Sequence, residues 1–182
     1  MRFFKRLSIM MLLGALTIAG LGFMLPDQYN IEREIMIQAP QDVIFSEIQN
    51  LINWEYWHPW QKDLSESPIE YSTISFGEGA WQRWKSKSLG KGEITIKRIT
   101  ENQLLLYERA YADYGFVATG EFIIEPLDLG TSKLIWKDCF FTGNNIIKRY
   151  FGLFAEVTAG RELENSLHSL KSRIEQKKLS LW

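Results

Sequence analysis

The sequence contains few of the residues that build metal centres and disulfides. Cys139 is the only cysteine among 182 residues, and His58 and His168 are the only histidines. One cysteine excludes an intramolecular disulfide and a cysteine-based zinc site, and two histidines are too few for a histidine-rich metal centre. Cys139 lies in a strand-like run with no histidine beside it, so we expect a buried, inert thiol. The sequence therefore predicts neither a metal nor another cofactor.

The chain also lacks a strong excess of either charge. Its net charge is −1 at pH 7, and Arg2, Lys5 and Arg6 precede every acidic residue. The rest of the chain is therefore net acidic, which argues against nucleic-acid binding.

Catalytic signatures are scarce as well. The sequence has no Gly-x-Ser-x-Gly motif and no Walker loop, and Ser88–Gly92 lacks the spacing of a phosphate-binding loop.

One long apolar run occupies the N-terminal region. Leu7 to Leu25 contains no charged residue, and a helix of about 19 residues is long enough to cross a hydrocarbon core of roughly 30 Å. The run is either a membrane anchor or a signal peptide. No Ala-x-Ala site follows it and Pro26 leads directly into folded sequence, which favours an uncleaved anchor, while cleavage near residues 17–19 stays open.

The basic residues before this run predict the orientation of the chain. By the positive-inside rule they stay in the cytoplasm, so the chain from about residue 26 onward lies on the periplasmic or extracellular side. We therefore divide the chain into an anchor or signal segment, 1–25, and one folded domain, 26–182.

The densest group of aromatic residues is Leu51 to Trp60. Trp54, Trp57 and Trp60 recur at every third position, and His58 and Pro59 lie among them. In a short helical turn the three rings would cluster, and the proline would end the helix. Two interpretations remain open: the rings fill a corner of the core, or they form the lip of an apolar cavity.

The spacing of apolar residues predicts a series of strands between two helices. Asn30 to Gln38 alternates as a half-buried strand does, and Ile44, Ile48 and Ile52 then repeat at four-residue spacing, as on a short helix. Five further strands are predicted over residues 80–86, 92–99, 103–111, 116–125 and 133–140. Residues 144 to about 177 are predicted to form a long helix, so the fold class is α+β.

Two features of the last strand and the last helix concern the interior. Asp138 shares a strand face with Leu134, Trp136 and Phe140, so it lies either in the interior or at a solvated strand end. In the helix, Gly152 and Gly160 indicate a break or room for a neighbouring group. One continuous apolar stripe is predicted to run along it, through Ile147, Phe151, Phe154, Val157, Leu163, Leu167, Leu170 and Ile174.

This order of elements resembles the helix-grip superfamily called SRPBCC or START-like, which includes polyketide cyclase/dehydrase-like proteins. The resemblance covers roughly residues 28 to 177, and a similar anchor with a Leu-Pro-Asp lead-in occurs in bacterial members. The matching residues are Ile35–Pro40 with Val43–Phe45, Asn53–Trp60, Gly77–Ala80 before Trp84, Gly90–Gly92, Gly130-Thr131 before Trp136, and Leu167–Lys171.

The resemblance implies a curved antiparallel sheet around the C-terminal helix, with a hydrophobic cavity between them. Members bind lipids, sterols, hormones or polyketides, and only some are enzymes. We therefore expect a membrane-anchored binding domain for a lipid or another hydrophobic small molecule. A polyketide cyclase/dehydrase-like enzyme, with His58 and Glu55 as candidate base and orienting group, and an envelope scaffold without a ligand are the alternatives. The expected ligand contacts are Trp57, His58, Trp60, Trp84, Trp136, Asp138, Phe140 and Phe154.

Overall fold

The computed structural model describes residues 2–58, 68–87 and 90–179. Three α-helices occur in this part of the chain: α1 (Arg2–Met24), α2 (Gln41–Ile48) and α3 (Ile146–Leu179). Short 3₁₀ turns span Leu51–Tyr56 and Ala112–Tyr114. The strands are β1 (Gln28–Ile37), β2 (Ile69–Tyr71), β3 (Trp81–Ser86), β4 (Gly90–Thr100), β5 (Leu104–Tyr111), β6 (Phe116–Pro126) and β7 (Ser132–Phe141).

The seven strands form one antiparallel sheet in the order β1-β7-β6-β5-β4-β3-β2. Consecutive strands from β2 to β7 pair as neighbours, and β1 pairs with β7 at the other edge. A bulge interrupts the β4–β5 register between Ile96 and Arg98, and such a bulge bends the sheet. The predicted curved sheet and long C-terminal helix are confirmed. The three-residue strand β2 was not predicted, because so short a run carries little periodic signal.

The second half of α3 covers the inner face of the sheet. Its residues Leu163, Leu167, Leu170 and Ile174 are buried, and Ile44 and Ile48 of α2 belong to the same core. A charged cluster joins the two helices at this end: Glu47, which is itself buried, makes ion pairs with Arg173 at 3.1 Å and with Lys177. The core therefore lies between the sheet and the later turns of α3.

The helix α3 is continuous across both glycines. A Cβ atom at Gly152 would lie 2.1 Å from the ring of Tyr29, and a Cβ atom at Gly160 would lie 2.3 Å from the guanidinium of Arg33. The glycines therefore make room for side chains of β1, and no break is present. This also explains Arg33, the polar residue among the inward-facing isoleucines of that strand.

The predicted continuous stripe along α3 is not observed. Phe154 is 65% exposed, whereas Leu163 is 1% exposed. These two residues are nine positions apart, which is about two and a half turns of helix, so they lie on opposite faces. Ile147, Phe151 and Val157 are exposed together with Phe154.

The helix α1 extends from the domain with nearly every side chain exposed. Residues Phe3–Met24 are long and apolar enough to cross a membrane, by length and composition. This is compatible with a single-pass anchor and equally with a signal sequence. Gly22 is its buried exception, because it contacts Ile146 and Tyr150 at the start of α3.

Candidate functional site

A network of polar side chains lies inside the domain, on the inner face of the sheet. Asp138 of β7 accepts a hydrogen bond from the Tyr107 hydroxyl at 2.6 Å and another from Arg109 Nη2 at 3.0 Å. The Tyr107 hydroxyl in turn accepts a hydrogen bond from Trp136 Nε1 at 2.9 Å. All four residues are at most 1% exposed. Asp138 is therefore an interior residue, and not a solvated strand end.

The strand register explains how these residues meet. Tyr107 and Arg109 belong to β5, Asp138 belongs to β7, and β6 lies between them. Gly120 of β6 is paired with Tyr107 on one side and with Asp138 on the other. Because Gly120 has no side chain, the Tyr107 ring crosses above it, where a Cβ atom would lie 1.9 Å from the ring. One glycine on the middle strand therefore lets groups on the two outer strands form hydrogen bonds.

An aromatic layer covers this network. His58 stacks on Trp54 with ring centroids 5.5 Å apart and meets Trp136 edge to face at 5.4 Å. Trp57 contacts the same rings, and Phe122 lies 4.7 Å from Trp136. The Trp54 indole donates a hydrogen bond to the Ile48 carbonyl at 2.8 Å, which fixes the 3₁₀ turn to the end of α2. Trp54 and Trp57 therefore fill the core, as one of the two interpretations expected, and the rings of this segment also cover buried polar groups.

The electrostatics of the site follow from burial and from the ion pair. Burial and the positive charge of Arg109 hold the pKa of His58 well below its usual value. Burial and the Asp138 carboxylate hold the pKa of Tyr107 well above its usual value. Burial opposes the charge of Arg109, but Asp138 outweighs it and the pKa of Arg109 is raised. Near neutral pH the imidazole is therefore uncharged, the phenol is protonated and the guanidinium is charged.

A half-buried rim of aromatic residues adjoins the network. The Arg109 guanidinium lies 5.8 Å from the Tyr111 ring centroid and 5.7 Å from that of Phe140. Phe140 stacks on Phe116 at 5.6 Å, and Trp84 meets Tyr111 edge to face at 5.7 Å. These side chains connect the interior network to the surface of the domain.

Trp84 also borders a surface depression of about 480 Å³. Other residues that line it include Gly92, Ala110 and the exposed side chains of Arg83 and Lys85. Arg83 and Lys85 therefore belong to the outer surface and not to the interior network.

Several buried polar atoms have no hydrogen-bond partner within the described residues. They include Trp57 Nε1, Trp84 Nε1, Gln82 Oε1, Gln41 Oε1, Thr142 Oγ1 and the Tyr71 hydroxyl. Burial and the nearby Glu55 carboxylate raise the pKa of Tyr71 to about 12, so this hydroxyl keeps its proton at neutral pH. Buried polar groups normally have hydrogen-bond partners.

The structure brings together some of the predicted contact residues and separates others. Trp57, His58, Trp136 and Asp138 lie around one network, Phe140 is at its rim, and Trp84 is adjacent through Tyr111. Phe154 faces away from the interior, and Trp60 lies outside the described residues. Glu55, the candidate orienting group for His58, is exposed.

Two central residues, Tyr107 and Arg109, were not predicted as contacts. Their signal was the alternation of Leu105, Tyr107, Arg109 and Tyr111, which places all four on one face of β5. The apolar run Leu104–Leu106 hides that alternation. Among the described residues, no group of three or more histidine, cysteine, aspartate or glutamate side chains is placed to hold a metal ion.

Comparison with solved structures identifies the architecture. Norcoclaurine synthase from Thalictrum flavum superposes with a TM-score of 0.61 at 12% identity, covering 83% of this chain and 96% of that one. The ZhuI aromatase/cyclase from Streptomyces sp. R1128 gives a TM-score of 0.60 at 16% identity, covering 82% and 95%. The chain has the helix-grip fold. The predicted helix-grip architecture is therefore confirmed.

The similarity extends to the fold and no further. A hypothetical protein from Helicobacter pylori gives a TM-score of 0.59 at 10% identity, covering 79% of this chain and 86% of that one. The sequence matches no protein-family model and no curated protein. Because one helix-grip fold serves both binding proteins and enzymes, function has to be argued from the site.

Proposed function

We propose that residues 26–182 form a binding domain for a lipid or another hydrophobic small molecule, tethered to a membrane by α1. The observation that carries this proposal is the Arg109–Asp138 ion pair, whose side chains are 1% and 0% exposed. Replacing such a pair by apolar residues is often neutral or stabilising, so stability alone does not account for it. A few fixed polar groups among aromatic rings are the usual composition of a ligand pocket.

The charges of the network constrain the polar group of the ligand. Arg109 and Asp138 neutralise each other, and Tyr107 and His58 are uncharged near pH 7. An ionised ligand group would add an uncompensated charge to the interior, which is costly. The ligand that fits has an apolar body and an uncharged hydroxyl or carbonyl group.

The half-buried rim is the route by which such a ligand reaches the network. Trp57, His58 and Trp136 close the network on one side through ring contacts. Tyr111, Phe116 and Phe140 are only partly buried and offer apolar surface beside Arg109. A solved structure of norcoclaurine synthase contains dopamine and hydroxybenzaldehyde, which are small aromatic molecules with hydroxyl groups. Dopamine also carries an amine, so that example supports only an apolar ring with hydroxyl groups for the ligand here.

The apolar helix α1 and the basic residues before its apolar core support a location for the domain. Residues 1–25 act as an uncleaved single-pass anchor, with Lys5 and Arg6 on the cytoplasmic side. The binding domain is then held at the periplasmic or extracellular surface of the membrane. A lipid or an apolar compound dissolved in that membrane is a suitable ligand, because the tether keeps the domain beside its source.

Retention of a neutral lipid by the purified full chain tests the proposal. The probes are monoolein, which has an apolar chain and hydroxyl groups, and oleate, which has the same chain and a charge. Native mass spectrometry should detect one retained monoolein per chain and much less oleate. The double variant Arg109→Met/Asp138→Leu removes both charges at similar volume and should reduce retention about tenfold or more, consistent with the loss of hydrogen bonds to charged groups.

A matched control separates the site from general effects of charge removal. Lys137 and Glu32 form an ion pair of 3.3 Å on neighbouring strands β7 and β1, and their side chains are 43% and 55% exposed. The variant Lys137→Met/Glu32→Leu should retain monoolein as the parent chain does. Equal retention by all three proteins would reject the interior network as the binding site, and no retention by the parent would reject the proposed binding function.

Catalysis of the cyclase type is the second candidate, and it uses the same groups. The Tyr107 hydroxyl lies 2.6 Å from Asp138 and belongs to the network of Arg109. A proton donor beside a cation can stabilise negative charge that develops on a carbonyl oxygen. If the chain is an enzyme, Tyr107→Phe should abolish turnover and change the retention of the ligand little. If the chain only binds its ligand, the same substitution should affect ligand retention alone.

A further inference from the structure

Both halves of α3 are amphipathic, but the apolar side chains of the first half face outward, whereas those of the second half face the core. Gly152 and Gly160 face the sheet, while large apolar residues face outward. Monomeric proteins rarely expose such a group on one face, and it usually marks a contact surface. We refer to this group as the outer apolar face; it comprises Ile147, Phe151, Phe154 and Val157, which are 68%, 72%, 65% and 62% exposed.

The start of α3 is attached to the end of α1. The Tyr150 hydroxyl donates a hydrogen bond to the Ile18 carbonyl at 2.5 Å. Arg149 Nη1 donates to the carbonyls of Phe23 and Leu25 at 3.0 and 3.1 Å. The last carbonyls of a helix have no partner within it, so Arg149 caps α1 with a positive charge where the helix dipole favours one.

This attachment fixes the position of the start of α3 along the axis of α1. Ile18 precedes the end of α1 by six residues, which corresponds to about 9 Å along the helix axis. A residue bound to Ile18 therefore lies beside the last two turns of α1. If α1 crosses a bilayer, those turns are at its boundary, where tyrosine side chains are enriched.

We infer that the outer apolar face of α3 lies in the interface of the lipid bilayer, next to the point where α1 leaves it. Lipid is the occupant that the geometry selects, because the face continues the apolar surface of α1 and lies at the level of its last turns. An amphipathic helix of this kind buries its apolar side at the boundary between headgroups and acyl chains. The inference rests on the proposed anchoring by α1.

The same contact places the rim of the proposed site close to the membrane. Lys148, next to the outer apolar face, donates a hydrogen bond from Nζ to the Gly115 carbonyl at 2.7 Å. Gly115 joins β5 to β6, and these strands carry the rim residues Tyr111 and Phe116. A ligand entering at the rim therefore has a short path from the bilayer to Arg109.

Site-directed fluorescence on the full chain in liposomes tests this inference. The background variant is Cys139→Ser, and a single new cysteine, Phe154→Cys, is labelled with an environment-sensitive dye. The liposomes contain phosphatidylcholine and phosphatidylglycerol, with or without phospholipid that has a spin label near the headgroup. Spin-labelled lipid should quench the dye at position 154 at least about twofold, as expected for a side chain in the interface.

Two further positions make the outcomes distinct. Glu164→Cys lies on the exposed side of the same helix beyond the outer apolar face and should show little quenching. Leu12→Cys lies in the middle of α1 and reports whether the anchor is inserted. If lipid shields the dye at position 12 but the dye at position 154 is quenched no more than the dye at position 164, the inference about α3 is overturned and the proposed anchoring by α1 is retained. If lipid does not shield the dye at position 12 either, the proposed anchoring by α1 is rejected. The dye at position 154 could instead be shielded from water but not quenched by spin-labelled lipid, with shielding that increases with protein density. That result would assign the face to contact with a second copy of the chain and would reject lipid contact.

Discussion

Tyr107 and Gly120 are paired across neighbouring strands, and the phenol ring occupies the space above the glycine. This pairing brings the hydroxyl of Tyr107 to Asp138 on the strand beyond. The interior network thus depends on one position where a side chain is missing.

Substitution of Gly120 by alanine should therefore destabilise the domain. The new Cβ atom would lie 1.9 Å from Tyr107, and overpacking of this kind costs about 1–3 kcal/mol. Urea denaturation measures the change in the free energy of unfolding. Gly130→Ala is the control, because a Cβ atom there meets only a side-chain oxygen of Asp128 at 3.9 Å. Equal stability of the two variants would show that the ring does not occupy this space.

Removal of one charge from the buried ion pair should cost more than removal of both. Asp138→Leu alone removes the carboxylate that balances the buried charge of Arg109, which costs about 3–5 kcal/mol. The double variant Arg109→Met/Asp138→Leu should recover most of that loss, because no charge remains in the interior. A double-mutant cycle by chemical denaturation measures the coupling. Additive losses would contradict the close pairing of the two groups.

His58 should make the stability of the domain depend on pH. Its pKa is lowered in the folded state, so below the unfolded value of about 6.5 the unfolded chain binds a proton that the folded chain does not. Stability should thus fall as pH decreases from 7 toward 5, by at most about 1.4 kcal/mol per pH unit. His58→Phe should lose this slope, measured by denaturation at several pH values. His168→Gln, at an exposed position, should retain it; a slope unchanged in His58→Phe would contradict the assignment.

Gly22 should control the attachment of α1 to α3. A Cβ atom at this position would lie 2.2 Å from the Ile146 side chain and 2.9 Å from the Tyr150 ring. Gly22→Leu should therefore separate the two helices and increase hydrogen–deuterium exchange of the amides over residues 146–150 in the lipid-embedded chain. Gly14→Leu is the matched control, since no atom lies within 4 Å of its Cβ position. Equal exchange in both variants would argue against the contact.

Local patterns were sufficient to predict most of the architecture. Alternation located β1, β6 and β7, and strand-like runs separated by turn residues located β3, β4 and β5, with boundaries near those observed. The same rule placed Trp136 and Asp138 on one face of the last strand, and the structure shows that this face is internal. The tryptophan segment was expected to fill a corner of the core or to form the lip of an apolar cavity, and Trp57 and His58 are buried.

The helix α3 illustrates a limit of judging spacing only over short windows. Each half of the helix has regular apolar spacing, but the nine-residue step from Phe154 to Leu163 turns the second set to the opposite face. That step is readable in the sequence. Its consequence, an exposed apolar face on the same half of α3 that contacts α1, requires the placement of two helices that are far apart in the chain.

The sequence by itself determined the class of fold, the apolar N-terminal helix and the aromatic segment at the interior, because these depend on composition and on local periodicity. Only the tertiary structure decided that Arg109, Tyr107 and Asp138 form one network. Their contact spans three strands, and strand register across the sheet is set by long-range packing that no local pattern specifies. The side chain absent at Gly120 acquires its meaning only when the strands on both sides of it are in place.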